Sequence, residues 1–172
     1  SGNINVGKES TGMFLKDGIK VENIGTSEIK STSKQAVGIY SENTLSGIST
    51  VTNSASIDLS GDHSIGIYTI GENNITNSGT IKIGNSSDLN DPSIGIYTKA
   101  IGDAITNTGT IDSGQKSSGI YGEGATINQN GTLITGETGT GIYTKGGSVG
   151  IGTAATMTVG QNEAVGVYAT NS

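Results

Sequence analysis

A three-residue phrase, glycine–aliphatic–aromatic, recurs along this chain and restricts its fold more than any other feature. It reads Gly12-Met13-Phe14, Gly38-Ile39-Tyr40, Gly66-Ile67-Tyr68, Gly95-Ile96-Tyr97, Gly119-Ile120-Tyr121, Gly141-Ile142-Tyr143 and Gly166-Val167-Tyr168. Successive glycines are 26, 28, 29, 24, 22 and 25 residues apart. All 6 tyrosines and the 1 phenylalanine hold its third position. Self-similarity at such a period belongs to solenoids, in which each repeat contacts only its neighbours.

A second phrase lies between the copies of the first. Its clearest forms run from Ile75 to Ile81 and from Ile105 to Ile111, each reading Ile-Thr-Asn-Ser/Thr-Gly-Thr-Ile. Val51 to Ile57, Ile127 to Leu133 and Ile151 to Met157 are weaker copies, and Val21 to Ile29 is a stretched one. The apolar residues alternate with period two, the strand period. Asn, Gly and Ser break the runs and supply corner backbone. Each repeat therefore predicts three short strands. The expected architecture is all-β: a right-handed parallel β-helix of about seven coils over residues 1–172. The right hand follows from the rule for parallel crossovers. Both ends look like unfinished repeats, Gly2 to Gly7 matching Gly79 to Gly84, so the expectation is one internal segment of a longer protein without caps of its own.

Stacking sets like on like. Ile81, Ile111, Leu133 and Met157 are expected as one internal column, and Ile39, Ile67, Ile96, Ile120, Ile142 and Val167 as another. Asn23, Asn53, Asn77 and Asn107 should form an amide ladder continued by Gln129 and Thr153, with its amides bonding one another. Parity through the first phrase sends Val37, Ile39, Ile94 and Ile96 inward and Gly38, Tyr40, Gly95 and Tyr97 outward. Tyr40, Tyr68, Tyr97, Tyr121, Tyr143 and Tyr168 then form a surface ladder, with the glycines leaving a shallow groove beside it; in the competing geometry the strand turns at Gly and tucks the rings inside. That row is the candidate binding surface. Extra length is expected at Asn85–Pro92 and at Lys30–Gln35, since insertions in solenoids gather on one face.

Composition narrows function by exclusion. Only 31% of residues are hydrophobic, which suits a solenoid of thin coils; the net charge is −6 and no arginine is present. A basic stripe for nucleic acid is missing, and an acidic surface disfavours anionic lipid. No apolar run is long enough for a spanning helix. Without cysteine there is no disulfide or thiolate metal site. Catalytic candidates reduce to Asp88 with Asp91, and Asp58 and Asp62 near His63. Such aspartates in Gly/Ser/Asn loops read as turn residues. One histidine does not make a zinc site. Gly146-Gly147-Ser148 lacks the Asp of a calcium-binding repeat, and no phosphate loop occurs. The reading is not an enzyme, with no cofactor, metal or catalytic residue.

Gly-Ile-Tyr-Thr followed by Ile-Thr-Asn-Ser-Gly-Thr-Ile resembles the repeats of large fusobacterial autotransporter adhesin passengers, the RadD-like group. The resemblance covers essentially the whole chain. It implies a type V secreted passenger on the bacterial outer membrane, held by a C-terminal β-barrel that this chain lacks. It also implies adhesion to proteins or glycans of other bacteria or host cells. The expected role is structural or adhesive; direct glycan or receptor binding by the tyrosine row is the alternative, and a polysaccharide-degrading enzyme a third. The open strand edges predict end-to-end stacking of fragments.

Overall fold

The computed structural model describes residues 2–171, which fold into three parallel sheets and no helix. One sheet holds the glycine–tyrosine strands: Thr11–Lys16, Val37–Glu42, Ile65–Ile70, Ile94–Lys99, Ser118–Glu123, Thr140–Lys145 and Val165–Thr170. The amide sheet holds Lys20–Asn23, Ser49–Asn53, Asn73–Asn77, Ala104–Asn107, Thr126–Gln129 and Ser148–Ile151. The third holds Asn3–Asn5, Glu28–Ser31, Ser56–Leu59, Thr80–Ile83, Thr110–Ser113, Thr132–Thr135 and Thr156–Val159. The chain visits the three in turn, giving a β-solenoid of about seven coils with three strands per coil.

Pairing is in like-on-like register. Ile81 lies between Ile57 and Ile111, and Leu133 between Ile111 and Met157. Ile39, Ile67, Ile96, Ile120 and Ile142 make the second column, and Val51, Ile75, Ile105 and Ile127 a third. Apart from Met157, which is partly buried at the edge, these residues are essentially solvent-free and form one continuous core. Full burial of each such side chain contributes about 1.5–3 kcal/mol, so many thin layers replace one globular centre.

Strict alternation fails at the glycine of the first phrase. Pairing runs from Val37 with Ile65 to Ile39 with Ile67 and skips Gly38 with Gly66. The backbone bends there, so the glycine and the following Ile both face in. A Cβ on Gly66 would lie 2.5 Å from the Gly95 carbonyl oxygen and 2.7 Å from Ile81 Cγ2. The expectation that Gly38 and Gly95 face outward and line a groove is thereby corrected: they are where successive coils come closest. Val37, expected inside, is half-buried and outside the core cluster, whereas Ile94 is buried, though it too lies outside that cluster.

Corner lengths correct two further expectations. Lys30 and Ser31 belong to a strand, and the five residues between Ser31 and Val37 match the five between Leu59 and Ile65, so Lys30–Gln35 is no insertion. Extra length sits instead in the following coil, at Asn43–Ile48, which connects Glu42 to Ser49. The Asn85–Pro92 segment is a true insertion, between the strands ending at Ile83 and starting at Ile94. In the last amide strand Val149, not Ile151, covers Ile127, and Ile151 covers Gln129. A shift of two residues keeps every side chain on its own face. The corner from Gly152 to Ala155 takes up the difference, and Thr153 never joins the amide ladder.

Candidate functional site

The tyrosine row arises because Tyr40, Tyr68, Tyr97 and Tyr143 each follow a buried Ile and precede a buried small polar residue, as in Ile67-Tyr68-Thr69, and Tyr121 follows buried Ile120. Alternation sends the ring to the outer face of its sheet, where like-on-like register stacks it on the next. Ring centroids from Phe14 through Tyr40, Tyr68, Tyr97, Tyr121 and Tyr143 to Tyr168 are 5.2, 5.1, 5.0, 5.0, 4.5 and 5.5 Å apart. Planes are near parallel except between Tyr97 and Tyr121, which meet edge to face at 77°. The ladder is thus two stacks joined at one crossing.

Its environment is apolar on one flank and charged on the other. Val37, Ile65 and Ile94 precede the rings in the second to fourth coils, then Ser118 and Thr140 take that column. On the other side lie Glu42, Ile70, Lys99, Glu123 and Lys145. Tyr40, Tyr68, Tyr97, Tyr121 and Tyr143 are half-buried between these columns, while Tyr168 is 51% exposed. Burial pushes the Tyr97 phenol up to about 12, with Glu123 and the flanking Tyr68 and Tyr121 adding to it. Burial likewise raises Tyr40, Tyr68 and Tyr121. These four hydroxyls are therefore neutral hydrogen-bonding groups at physiological pH. A shallow depression lined by Lys99, Ile101, Glu123, Gly124 and Lys145 adjoins the crossing. Stacked rings present edges and hydroxyls outward, because their faces are occupied by one another.

The other candidates separate. Asp58 pairs with Lys30 on one side and Lys82 on the other, and Lys82 with Asp112, so it belongs to an outward column of alternating charge. It is not joined to His63. Asp88 turns into its own loop, accepting from Asn90 N and Nδ2 at 2.9 and 3.1 Å. Asp62, His63 and Asp91 do come together, with Ser87, which the sequence reading passed over. Ser87 Oγ donates to Asp62 Oδ2 at 2.6 Å and lies 3.3 Å from His63 Nε2. His63 Nδ1 lies 2.5 Å from the Asp91 carbonyl oxygen and 3.3 Å from Asp91 Oδ2. The Ser87 side-chain bond, then its backbone N–H, hold the Asp62 carboxyl down at about 2. Among the described residues, no cluster of three His, Cys, Asp or Glu side chains could hold a metal ion.

Two polar columns inside the solenoid complete the inventory. Asn23, Asn53, Asn77 and Asn107 each donate Nδ2 to the next side-chain oxygen at 2.8, 2.7, 2.7 and 2.9 Å, and the last acceptor is Gln129 Oε1. The second column is Ser41, Thr69 and Thr98, reaching toward Asn73, Asp103 and Ala125 in the coil above. Ser41 Oγ donates to Asn73 Oδ1 at 2.8 Å and Thr69 Oγ1 to Asp103 Oδ2 at 3.4 Å. Thr98 Oγ1 is buried without a partner. Burial pushes the Asp103 carboxyl up to about 6, against the opposing hydrogen bonds from Asn73 and Thr69. Asp103 was not foreseen; its place above Asn73 is masked by one extra residue in the corner before it.

No protein-family model matches the chain, and neither a curated protein nor a solved structure is detectably similar to it.

Proposed function

We propose that this chain is a structural spacer of a bacterial surface adhesin, an autotransporter passenger segment that holds binding elements away from the cell. The observation that carries the reading is the coil-after-coil parallel pairing of all three sheets, like on like in most columns. A rod built this way is stiff along its axis and repeats much of its surface from coil to coil. Such a surface suits extension better than recognition, because binding energy concentrates in a few unlike residues. The repeat phrases support the adhesin assignment through their resemblance to fusobacterial passengers.

Direct binding by the tyrosine row is the second reading, favoured by the half-buried Val37 and Ile65 beside Tyr40, Tyr68 and Tyr97. Contiguous apolar surface of this kind marks interaction sites. Against a glycan platform stands the ring geometry: sugars stack on aromatic faces, and these faces are already paired. Beads coated with the chain decide between the readings. The expected result is no capture of bacteria or of glycans on an array. Capture that is lost in Tyr97→Ala and Tyr121→Ala would overturn the spacer reading in favour of the second.

A further inference from the structure

The Asn85–Pro92 insertion carries an Asp-Pro bond, and the fold brings the only histidine onto it. His63 occupies a left-handed corner, with φ 54°, in a column where Gln35 and Lys116 hold the same conformation at 57° and 54°. From there Nδ1 contacts both the carbonyl oxygen and the carboxylate of Asp91. The far nitrogen, Nε2, faces Asp62 Oδ2 at 3.4 Å and Ser87 Oγ at 3.3 Å. Lys34 Nζ, 3.8 Å from Asp62 Oδ2, is the other charge beside the group. Two carboxylates thus flank the ring. Ser86 Oγ bonds the Asp88 and Asp91 carbonyls at 3.0 and 3.1 Å and closes the loop around this contact.

We propose that the chain cleaves itself between Asp91 and Pro92, with His63 as the acid. An Asp91 carboxylate oxygen attacks the Asp91 carbonyl carbon, forming a C–O bond and an oxyanion that receives the Nδ1–H hydrogen bond. The C–N bond to Pro92 then breaks, and the imidazolium proton goes to the proline nitrogen, which leaves as a secondary amine. The cyclic anhydride left on Asp91 is opened by water. One water proton returns to the imidazole, and Asp91 ends as a new C-terminus with two carboxyl groups. Water is consumed and nothing is oxidised or reduced. Asp62 stays ionised throughout and keeps the ring oriented. The strands on either side, Thr80–Ile83 and Ile94–Lys99, each pair with two neighbours. The nicked solenoid therefore stays assembled, and the cut shows only under denaturing conditions.

Mass spectrometry of the chain after incubation at about pH 5 and at neutral pH tests this. The expected result is a pair of fragments ending at Asp91 and beginning at Pro92, formed faster at the lower pH. His63→Gln should slow their formation about a hundredfold, and Asp91→Asn should suppress it. Gln35 shows that the corner accepts glutamine, so the first variant tests chemistry and not folding. Unfolding the wild type in urea at the same pH should remove the acceleration, which separates it from the ordinary acid lability of Asp-Pro bonds. An intact folded wild type, or an unchanged rate in His63→Gln, Asp91→Asn or urea, overturns the proposal.

Discussion

The two polar columns inside the solenoid solve the same problem with different success. The amide column is satisfied from Asn23 to Gln129 and closes on itself, because Gln129 Nε2 turns to the Gly131 carbonyl at 2.9 Å. The hydroxyl column is satisfied at Ser41 and Thr69 and fails at Thr98, where the coil above offers Ala125, and again at Thr144. An amide carries donor and acceptor on one group, so each copy both needs and supplies the next. A hydroxyl facing an alternating partner depends on two columns agreeing, and one alanine ends the chain of bonds. Self-complementary side chains are thus the safer choice wherever a repeat must be copied.

The largest expected effect comes from breaking the satisfied column. Asn77→Asp removes the donor to Asn107 and buries a charge, which should cost about 4 kcal/mol at neutral pH. Urea unfolding checks this, and the loss should shrink in acid as the carboxyl is neutralised. Next is Asp103, the one acid among these columns. Its folded value of about 6 stands above the ordinary 3.8. Between those values the native state binds more protons than the unfolded one, so stability falls as pH rises through that window and the loss persists above it. Asp103→Asn should recover about 2–3 kcal/mol at neutral pH and flatten the profile between about pH 4 and 6. Denaturation at several pH values reads both.

A smaller effect is expected outside. Tyr97→Leu removes two ring contacts and should cost about 1–2 kcal/mol, less than Asn77→Asp, because stacking leaves no orphaned polar atom. The smallest is Thr98→Val, which deletes the unpartnered hydroxyl at nearly constant shape and should stabilise by about 1 kcal/mol. Thr69→Val should do the opposite. If the two valine variants shift the unfolding midpoint alike, the contrast between the columns is wrong.

The sequence made the architecture legible because its two phrases report different faces of one coil. Period-two alternation placed Ile81 with Ile111 and Asn77 with Asn107, as the register shows. It failed at Gly38 and Gly95, where a bend puts two successive residues inside; alternation carries no information about a bend that only close coil contact requires. Ile151 resembled Ile127 in its phrase, yet Val149 holds that place, since a two-residue slip conserves parity and leaves no trace in the pattern. The cluster of Asp62, His63, Ser87 and Asp91 was half visible. Its aspartates and histidine were candidates, but residues 24 positions apart meet only because consecutive coils are stacked.

The glycine contacts have a consequence for how such a rod changes over generations. Gly66 packs on Gly95 and Gly95 on Gly119 through the same backbone atoms, although the intervening segments differ in length by five residues. The glycine seams are therefore built alike from coil to coil. Excising residues 95–118 would bring Gly119 onto Gly66 and Tyr121 onto Tyr68 in the same glycine and ring contacts. Recombination between repeats can lengthen or shorten the rod in whole increments of about 4.8 Å. Reach is the property that such exchange would tune, in discrete steps and without redesign of the interior.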